Sequence, residues 1–409
     1  MGRGAAAAAG RGGMRAAEQA PLELLIPDLP CADALLPWLR RIDAARQYTN
    51  FGPLVHELEQ RLAAEWPVPP EVPAPADLQV LTASSGTAAL ELALAALDLP
   101  AGSEVLMPAF TFAATAAAVL RCGLRPVFAD VDASTWQLGI ETAWRAAQRR
   151  PLRLVLPVAT FGCPLDVAAW DDFARRSGLP VLMDAAAAFG NQAVGQRAHV
   201  AFSLHATKPF GIGEGGMLAT RDAAFAARVR QLSNFGFSQG RVTAVAGNAK
   251  MSEYAAAVAL CQWARFGQRQ AHRRTLWQAY RQRLQRNLGL ALQAGFENGA
   301  LPANLVLQLP GDAAPVAATL ARQGIASRRW YCPPLTAQPA FAVPGLCAVF
   351  SAEPEGALPQ TRLLASRSLG LPWHSFMTVA DQDRVLAALG AALPGAHRQP
   401  AVDEVMVDE

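Results

Sequence analysis

Cysteine, histidine and charge are all scarce in this chain of 409 residues. Six cysteines, Cys31, Cys122, Cys163, Cys261, Cys332 and Cys347, lie scattered along it. No pair has Cys-x-x-Cys spacing, and no histidine cluster accompanies them. That pattern argues against a zinc site or a disulfide scaffold. It points to reduced thiols in a cytoplasm, so no metal is expected. Charged residues make up only 17%, with a formal net charge of +3. There is no dense Lys/Arg run, so nothing argues for a nucleic-acid partner. Hydrophobic residues reach 52%, but much of that is alanine. No stretch extends to about 18 strongly apolar residues, so no membrane span is expected. Internal repeats are also missing. What remains is length enough for two domains and a large buried core.

The first 20 residues are Gly, Ala and Arg of low complexity. The run Ala5 to Ala9 is too short and too weakly apolar for a signal peptide. Gly2 is followed by Ala6 where a myristoylation signal needs Ser or Thr. A disordered leader is expected, and Met14 offers a second start. From about residue 78 to 220 strand and helix patterns alternate. Strands are expected at 79–82, 104–107, 126–130, 153–158, 180–184, 199–204 and 216–220. Helices are expected at 87–97, 111–121, 166–177 and 222–232. Such alternation implies an α/β fold: a mostly parallel, seven-stranded sheet sandwiched by helices. Residues 65 to 77 carry five prolines and read as an inserted loop. Residues 254–290, rich in Ala, Arg and Gln, read as one or two long helices. The expected division is therefore threefold. Residues 1–34 are leader and arm, and 35–265 are a large domain. Residues 266–409 are linker helices, a smaller C-terminal α+β domain starting near Pro302, and an acidic tail.

Lys208 is the most telling residue. It stands between the apolar run Phe202-Ser203-Leu204 and the glycine-rich Gly211-Ile212-Gly213-Glu214-Gly215-Gly216. Bare backbone can close around its amine, and desolvation lowers a lysine pKa and favours Schiff-base chemistry. A surface loop lysine is the plainer reading. Two other segments suit the same chemistry. Ser84-Ser85-Gly86-Thr87 opens an Ala/Leu helix, and free N–H groups at a helix start suit a phosphate. An ordinary capping turn would look the same. Leu179-Pro180-Val181-Leu182-Met183-Asp184 reads as a buried strand ending in one carboxylate, where open α/β sheets bind ligands. Such an Asp can keep a pyridine nitrogen protonated, or merely cap the next helix.

These residues occur together with Pro108-Ala109-Phe110-Thr111-Phe112-Ala113-Ala114-Thr115, Pro126-Val127-Phe128-Ala129-Asp130-Val131-Asp132, Asn248-Ala249-Lys250-Met251-Ser252-Glu253 and Leu371-Pro372-Trp373-His374. In order and spacing the set resembles the DegT/DnrJ/EryC1/StrS family of sugar aminotransferases over roughly residues 35 to 395. The resemblance implies a fold-type I enzyme with pyridoxal 5'-phosphate. Lys208 would carry the cofactor and move the proton between cofactor and substrate carbons. Asp184 would pair with the pyridine nitrogen, and Phe112 would stack on the ring. Gly86, Thr87 and Ser203 would hold the phosphate. Asn248 would reach the cofactor phosphate of a second subunit, which implies a homodimer with shared sites. Arg328, Arg329, Trp330 and Tyr331 would form a small-domain loop over the site. There the two arginines would clamp a diphosphate and an aromatic ring would stack on a base or sugar.

The chain departs from the family at two positions. Ala187 stands where Gln is usual, and Ala159 where His is frequent. Both remove polar contacts near the cofactor. The implied activity is transfer of an amino group, from L-glutamate, to a nucleotide-linked keto-deoxysugar. A keto-cyclitol acceptor and a non-catalytic, cofactor-binding regulator are the alternatives. Gly211 to Gly216 also spells Gly-x-Gly-x-x-Gly, but a strand rather than a helix follows, which argues against a dinucleotide site.

Overall fold

The computed structural model describes residues 20–67, 75–351 and 357–393. The expected disordered leader up to residue 19, the middle of the proline-rich loop and the acidic tail fall outside these residues. Two helices absent from the expectations, α1 (Ala32–Ala45) and α2 (Pro53–Ala64), precede the first strand. Helix α2 starts with proline at its first position, and the buried Glu253 carboxylate accepts from the Leu54 and Val55 N–H groups at 2.8 and 2.9 Å. That long-range cap satisfies donors the helix start leaves open.

The alternating region follows as β1 (Gln79–Ala83), α3 (Gly86–Ala96), β2 (Glu104–Pro108), α4 (Ala113–Arg121), β3 (Arg125–Ala129), α5 (Ile140–Arg149), β4 (Leu152–Val155), α6 (Val167–Ser177), β5 (Leu182–Asp184), β6 (His199–Ser203), β7 (Gly216–Thr220) and α7 (Ala223–Leu232). Each expected strand is present within a few residues of its anticipated bounds, and α5 is an addition. A small hairpin, β8 (Phe237–Ser238) and β9 (Arg241–Val242), leads to α8 (Glu253–Leu288). The long helical region is thus one uninterrupted helix, and residue 265 lies inside it. The rest comprises β10 (Ala291–Leu292), β11 (Leu305–Gln308), α9 (Ala313–Arg322), β12 (Ala348–Phe350), α10 (Pro359–Arg367), β13 (Ser368–Leu371) and α11 (Val379–Ala392).

The strands form two ladders, β1-β7-β6-β5 and β12-β3-β2-β4. Parallel bridges Val155↔Val181 and Val158↔Asp184 join them into one mixed sheet. The seven anticipated strands are all in it, and β12 adds an eighth at the β3 edge. Only β7 runs antiparallel to its neighbours β1 and β6. The β6–β7 connection contains no helix, and a parallel return would need a crossover. Apolar clusters fill both faces of the sheet. The C-terminal part builds its own antiparallel sheet, β10-β11-β13, covered by α9 and α11, with a separate buried cluster. All six thiols are unpaired. Among the described residues no helix is long and apolar enough to cross a membrane.

Candidate active site

The carboxyl ends of β1, β5 and β6 and the start of α3 converge on one cavity of about 400 Å³. Ser85 caps α3, its Oγ accepting from the Ala88 N–H at 3.1 Å. The N–H groups of Gly86 and Thr87, in the first turn, have no intrahelical acceptor. Both residues line the cavity, beside Ser203 from the end of β6. The turn is pressed onto the sheet. A Cβ on Gly86 would meet Ser203 Cβ at 2.6 Å, and one on Gly216 would meet the Ser85 carbonyl oxygen at 2.1 Å. Only glycine permits this approach, which leaves a helix N-terminus and a hydroxyl side by side.

Asp184 ends β5 and is buried, 5% exposed. Its Oδ2 accepts from Thr115 Oγ1 at 2.7 Å, and its Oδ1 from the Ala186 N–H at 3.1 Å. Burial pushes this carboxyl up from the usual range. The Thr115 hydrogen bond, the Ala186 N–H and the nearby Lys208 charge oppose that rise. Lys208 lies on the cavity wall, its N–H donating to the His205 carbonyl at 2.8 Å. Burial pushes its amine down from the usual lysine range, against the attraction of Asp184. Asp184 is buried and Lys208 half-buried, and burial pushes each toward its neutral form against their mutual attraction. Phe112, the residue before α4, also lines the cavity and is 57% exposed. An exposed ring at the mouth of a pocket is an open stacking surface.

From the C-terminal part come Asn304, Arg328, Trp330 and Tyr331. Tyr331 stacks on Phe161 at 5.4 Å and meets the edge of Phe110 at 5.2 Å. The Arg328 guanidinium lies 5.6 Å from the Trp330 ring. The expected pair of arginines is split. Arg329 turns away from the cavity and ion-pairs with Asp312 at 3.3 Å. The chain is extended here, bridged at Arg328 to Gly370, so successive side chains point to opposite sides. Only Arg328 is left to meet an anion. Asn248 is also outside its own chain's cavity. It is exposed and bridged by backbone to Asn234. Ala159 and Ala187 are buried beside the site and offer no polar atom beyond the backbone.

Sequence reasoning assigned no role to several residues found here. Thr115, in the first turn of α4, donates to Asp184, and the hydroxyl of Thr111, just ahead of the helix, lies 3.0 Å from that of Thr115. His205 and Glu214 line the cavity 3.8 Å apart. Leu25 of the N-terminal arm also reaches the wall, and nothing in its sequence foretold it. The residues present fit pyridoxal phosphate. The α3 start and Ser203 suit its phosphate, buried Asp184 its ring nitrogen, Phe112 its ring face and Lys208 its aldehyde. Among the described residues no cluster could hold a metal ion.

Comparison with known proteins agrees with this geometry. Residues 33–390 match the model of the DegT/DnrJ/EryC1/StrS aminotransferase family. Protein Rv3402c of Mycobacterium tuberculosis is 34% identical over 388 residues, covering 90% of this chain and 89% of its own. A dTDP-4-amino-4,6-dideoxy-D-glucose transaminase of Shigella dysenteriae is 28% identical over 367 residues, covering 87% and 94%. The crystal structure of DesI in the presence of its TDP-sugar product superposes with a TM-score of 0.76 at 32% identity, covering 91% of this chain and 94% of that one.

Proposed function

The chain belongs to the DegT/DnrJ/EryC1/StrS aminotransferase family and is a transaminase that uses pyridoxal phosphate; on that premise we propose that it moves an amino group from L-glutamate to a keto carbon of a nucleotide-linked deoxysugar. When bound, the cofactor supplies an aldehyde to accept the amine and a ring that withdraws electrons from the reacting carbon. Lys208 holds that aldehyde and then carries the proton from one carbon to the next. Its depressed basicity leaves the amine neutral more readily, as a nucleophile and base must be. Asp184 keeps the ring nitrogen protonated. Gly86, Thr87 and Ser203 bind the phosphate, and Phe112 covers the ring. Arg328, with the rings of Trp330 and Tyr331, takes the acceptor. A guanidinium beside aromatic faces suits a diphosphate joined to a flat base.

The observation that carries this reading is the buried Asp184 close to a half-buried Lys208 beneath an open helix N-terminus. The substrate class rests on the relatives, whose names specify dTDP- and TDP-linked sugars. The active unit is a homodimer in which Asn248 serves the partner's site. In support, Asn248 sits in a segment whose Phe235, Phe237, Val242 and Val245 are all exposed, the last at 103%. Phe237 and Val242 are paired across the hairpin, and exposed apolar side chains gathered in one segment suit an interface.

The test begins with cofactor-loaded protein and L-glutamate. The visible band should disappear while one equivalent of 2-oxoglutarate is released. Keto-sugar nucleotides should then restore the band. A cofactor that stays spectrally inert to every amino donor would overturn the proposal. Turnover with a free keto-cyclitol but with no nucleotide sugar would move the acceptor class.

A further inference from the structure

Asp184 is the end of a hydrogen-bonded hydroxyl chain that none of the roles above requires. Thr111 Oγ1 lies 3.0 Å from Thr115 Oγ1, and Thr115 Oγ1 donates to Asp184 Oδ2 at 2.7 Å. Both threonines are 1% exposed, so no bulk water competes for these bonds. With Asp184 ionised, the direction of the chain follows. Each hydroxyl has one proton, and an ionised Asp184 can only accept. Thr115 therefore gives its proton to Asp184 and takes one from Thr111, and a chain oriented this way polarises along its length. The titratable groups near Asp184 are Lys208, from the β6–β7 loop, and the Tyr331 hydroxyl, from the C-terminal part, which burial keeps neutral. At two neighbouring positions the chain has Ala159 and Ala187, which offer no polar side chain.

We propose that Thr115, backed by Thr111, is the positioning residue that keeps Asp184 ionised and aimed at the pyridine nitrogen of the cofactor. The inference rests on Asp184 being the ring nitrogen's partner. With Thr115 on Oδ2 and the Ala186 N–H on Oδ1, each oxygen is anchored through one lone pair and keeps another free. The carboxylate cannot rotate without losing a bond. Desolvation alone would favour the neutral acid, which binds a protonated ring poorly. A donor to the charged form is the remedy this chain supplies from α4.

Thr115→Val keeps the shape and removes the donor. Thr115→Ser restores it. The full-length, cofactor-free protein is titrated by infrared spectroscopy, following the carboxyl band that Asp184→Asn abolishes. The midpoint should rise by about one to two pH units in Thr115→Val, the effect of losing one charge-assisted bond, and return in Thr115→Ser. The dissociation constant for pyridoxal phosphate should rise about tenfold or more in the valine variant at neutral pH. Thr111→Val should shift both readouts the same way by less, which covers the case in which Thr115→Val does not fold. An unmoved midpoint in either valine variant, or a serine variant as impaired as the valine one, would overturn the proposal. Should Asp184→Asn itself retain cofactor and activity undiminished, the role given to Asp184 fails instead.

Discussion

At Lys208 and Asp184 burial is the larger influence and the attraction between them the smaller, opposing one. Burial favours the neutral form of both, and each attracts the charge of the other. A polar pair in this balance is easily pushed to either state, which is what a proton carrier needs. Purified protein should therefore be yellow, and borohydride should fix the cofactor to the peptide that contains Lys208. Lys208→Ala should fold with a change of no more than a few kcal/mol, since one cavity side chain is lost, and should lose transamination. Mass spectrometry of the reduced protein decides the point, and a label on any other lysine would sink the assignment. These two residues were legible because each sits at a break in hydrophobic pattern, a strand end against a loop. Thr115 was not. It closes the motif Pro108 to Thr115, but within Ala113-Ala114-Thr115-Ala116-Ala117-Ala118 nothing gives it a role, and only the fold brings it against β5.

At the scale of elements, β6 carries the site at one end and an unrelated titration at the other. His199 opens the strand at 7% exposure, stacked on Phe225 at 3.6 Å with its Nδ1 2.8 Å from Thr220 Oγ1. Burial pushes its imidazole down from 6.5 to about 4. The folded form holds it neutral where the unfolded chain would take up a proton. Its contribution is thus present above pH 6.5 and is lost as pH falls toward 4. The full difference corresponds to about 3 kcal/mol. Urea midpoints between pH 7 and 4.5 should fall more steeply for the native protein than for His199→Gln, and parallel curves would refute the assignment. The strands were legible for a related reason. Buried parallel strands are short apolar runs, and Leu182-Met183-Asp184 or Gly216 to Thr220 have no other use. Helices α1, α2 and α5 were less so, because charge interrupts their apolar faces. The choice between one and two long helices over 254–290 falls to one, α8 running unbroken through Gly267 among good helix formers. The split of Arg328 from Arg329 was beyond sequence reasoning, because it follows from extended backbone set by the bridge to Gly370.

For the whole molecule, helix α8 ties the large sheet to the C-terminal sheet, and the site needs both. The N-terminal arm crosses back as well, Leu22 bridging to Ile325 and Leu24 accepting from the Trp373 N–H at 3.0 Å, before Leu25 reaches the cavity. Asn248 is exposed and does not line its own chain's cavity, and the proposed homodimer would bring it to the partner's site. Its neighbour Lys250 donates to Asn234 Oδ1 at 2.7 Å and lies 4.7 Å from the Phe235 ring, so the segment is held in place without touching the site. An amide donated to a phosphate dianion is worth about 1.5–3 kcal/mol, so Asn248→Ala should weaken cofactor retention by roughly ten- to a hundredfold. The decisive measurement mixes two impaired chains under conditions that exchange subunits. Lys208→Ala keeps Asn248 and lacks the lysine, while Asn248→Ala keeps the lysine and lacks the amide. In a mixed dimer with shared sites, the lysine of one chain meets the Asn248 of the other, and one complete site of the two is rebuilt. Cofactor retention and glutamate half-reaction should then rise above the sum of the separate variants, and mixed dimers should form in proportion. Exchange of subunits without any such gain would make Asn248 a loop residue of its own chain, and a fully active monomer would remove the second subunit from the site altogether.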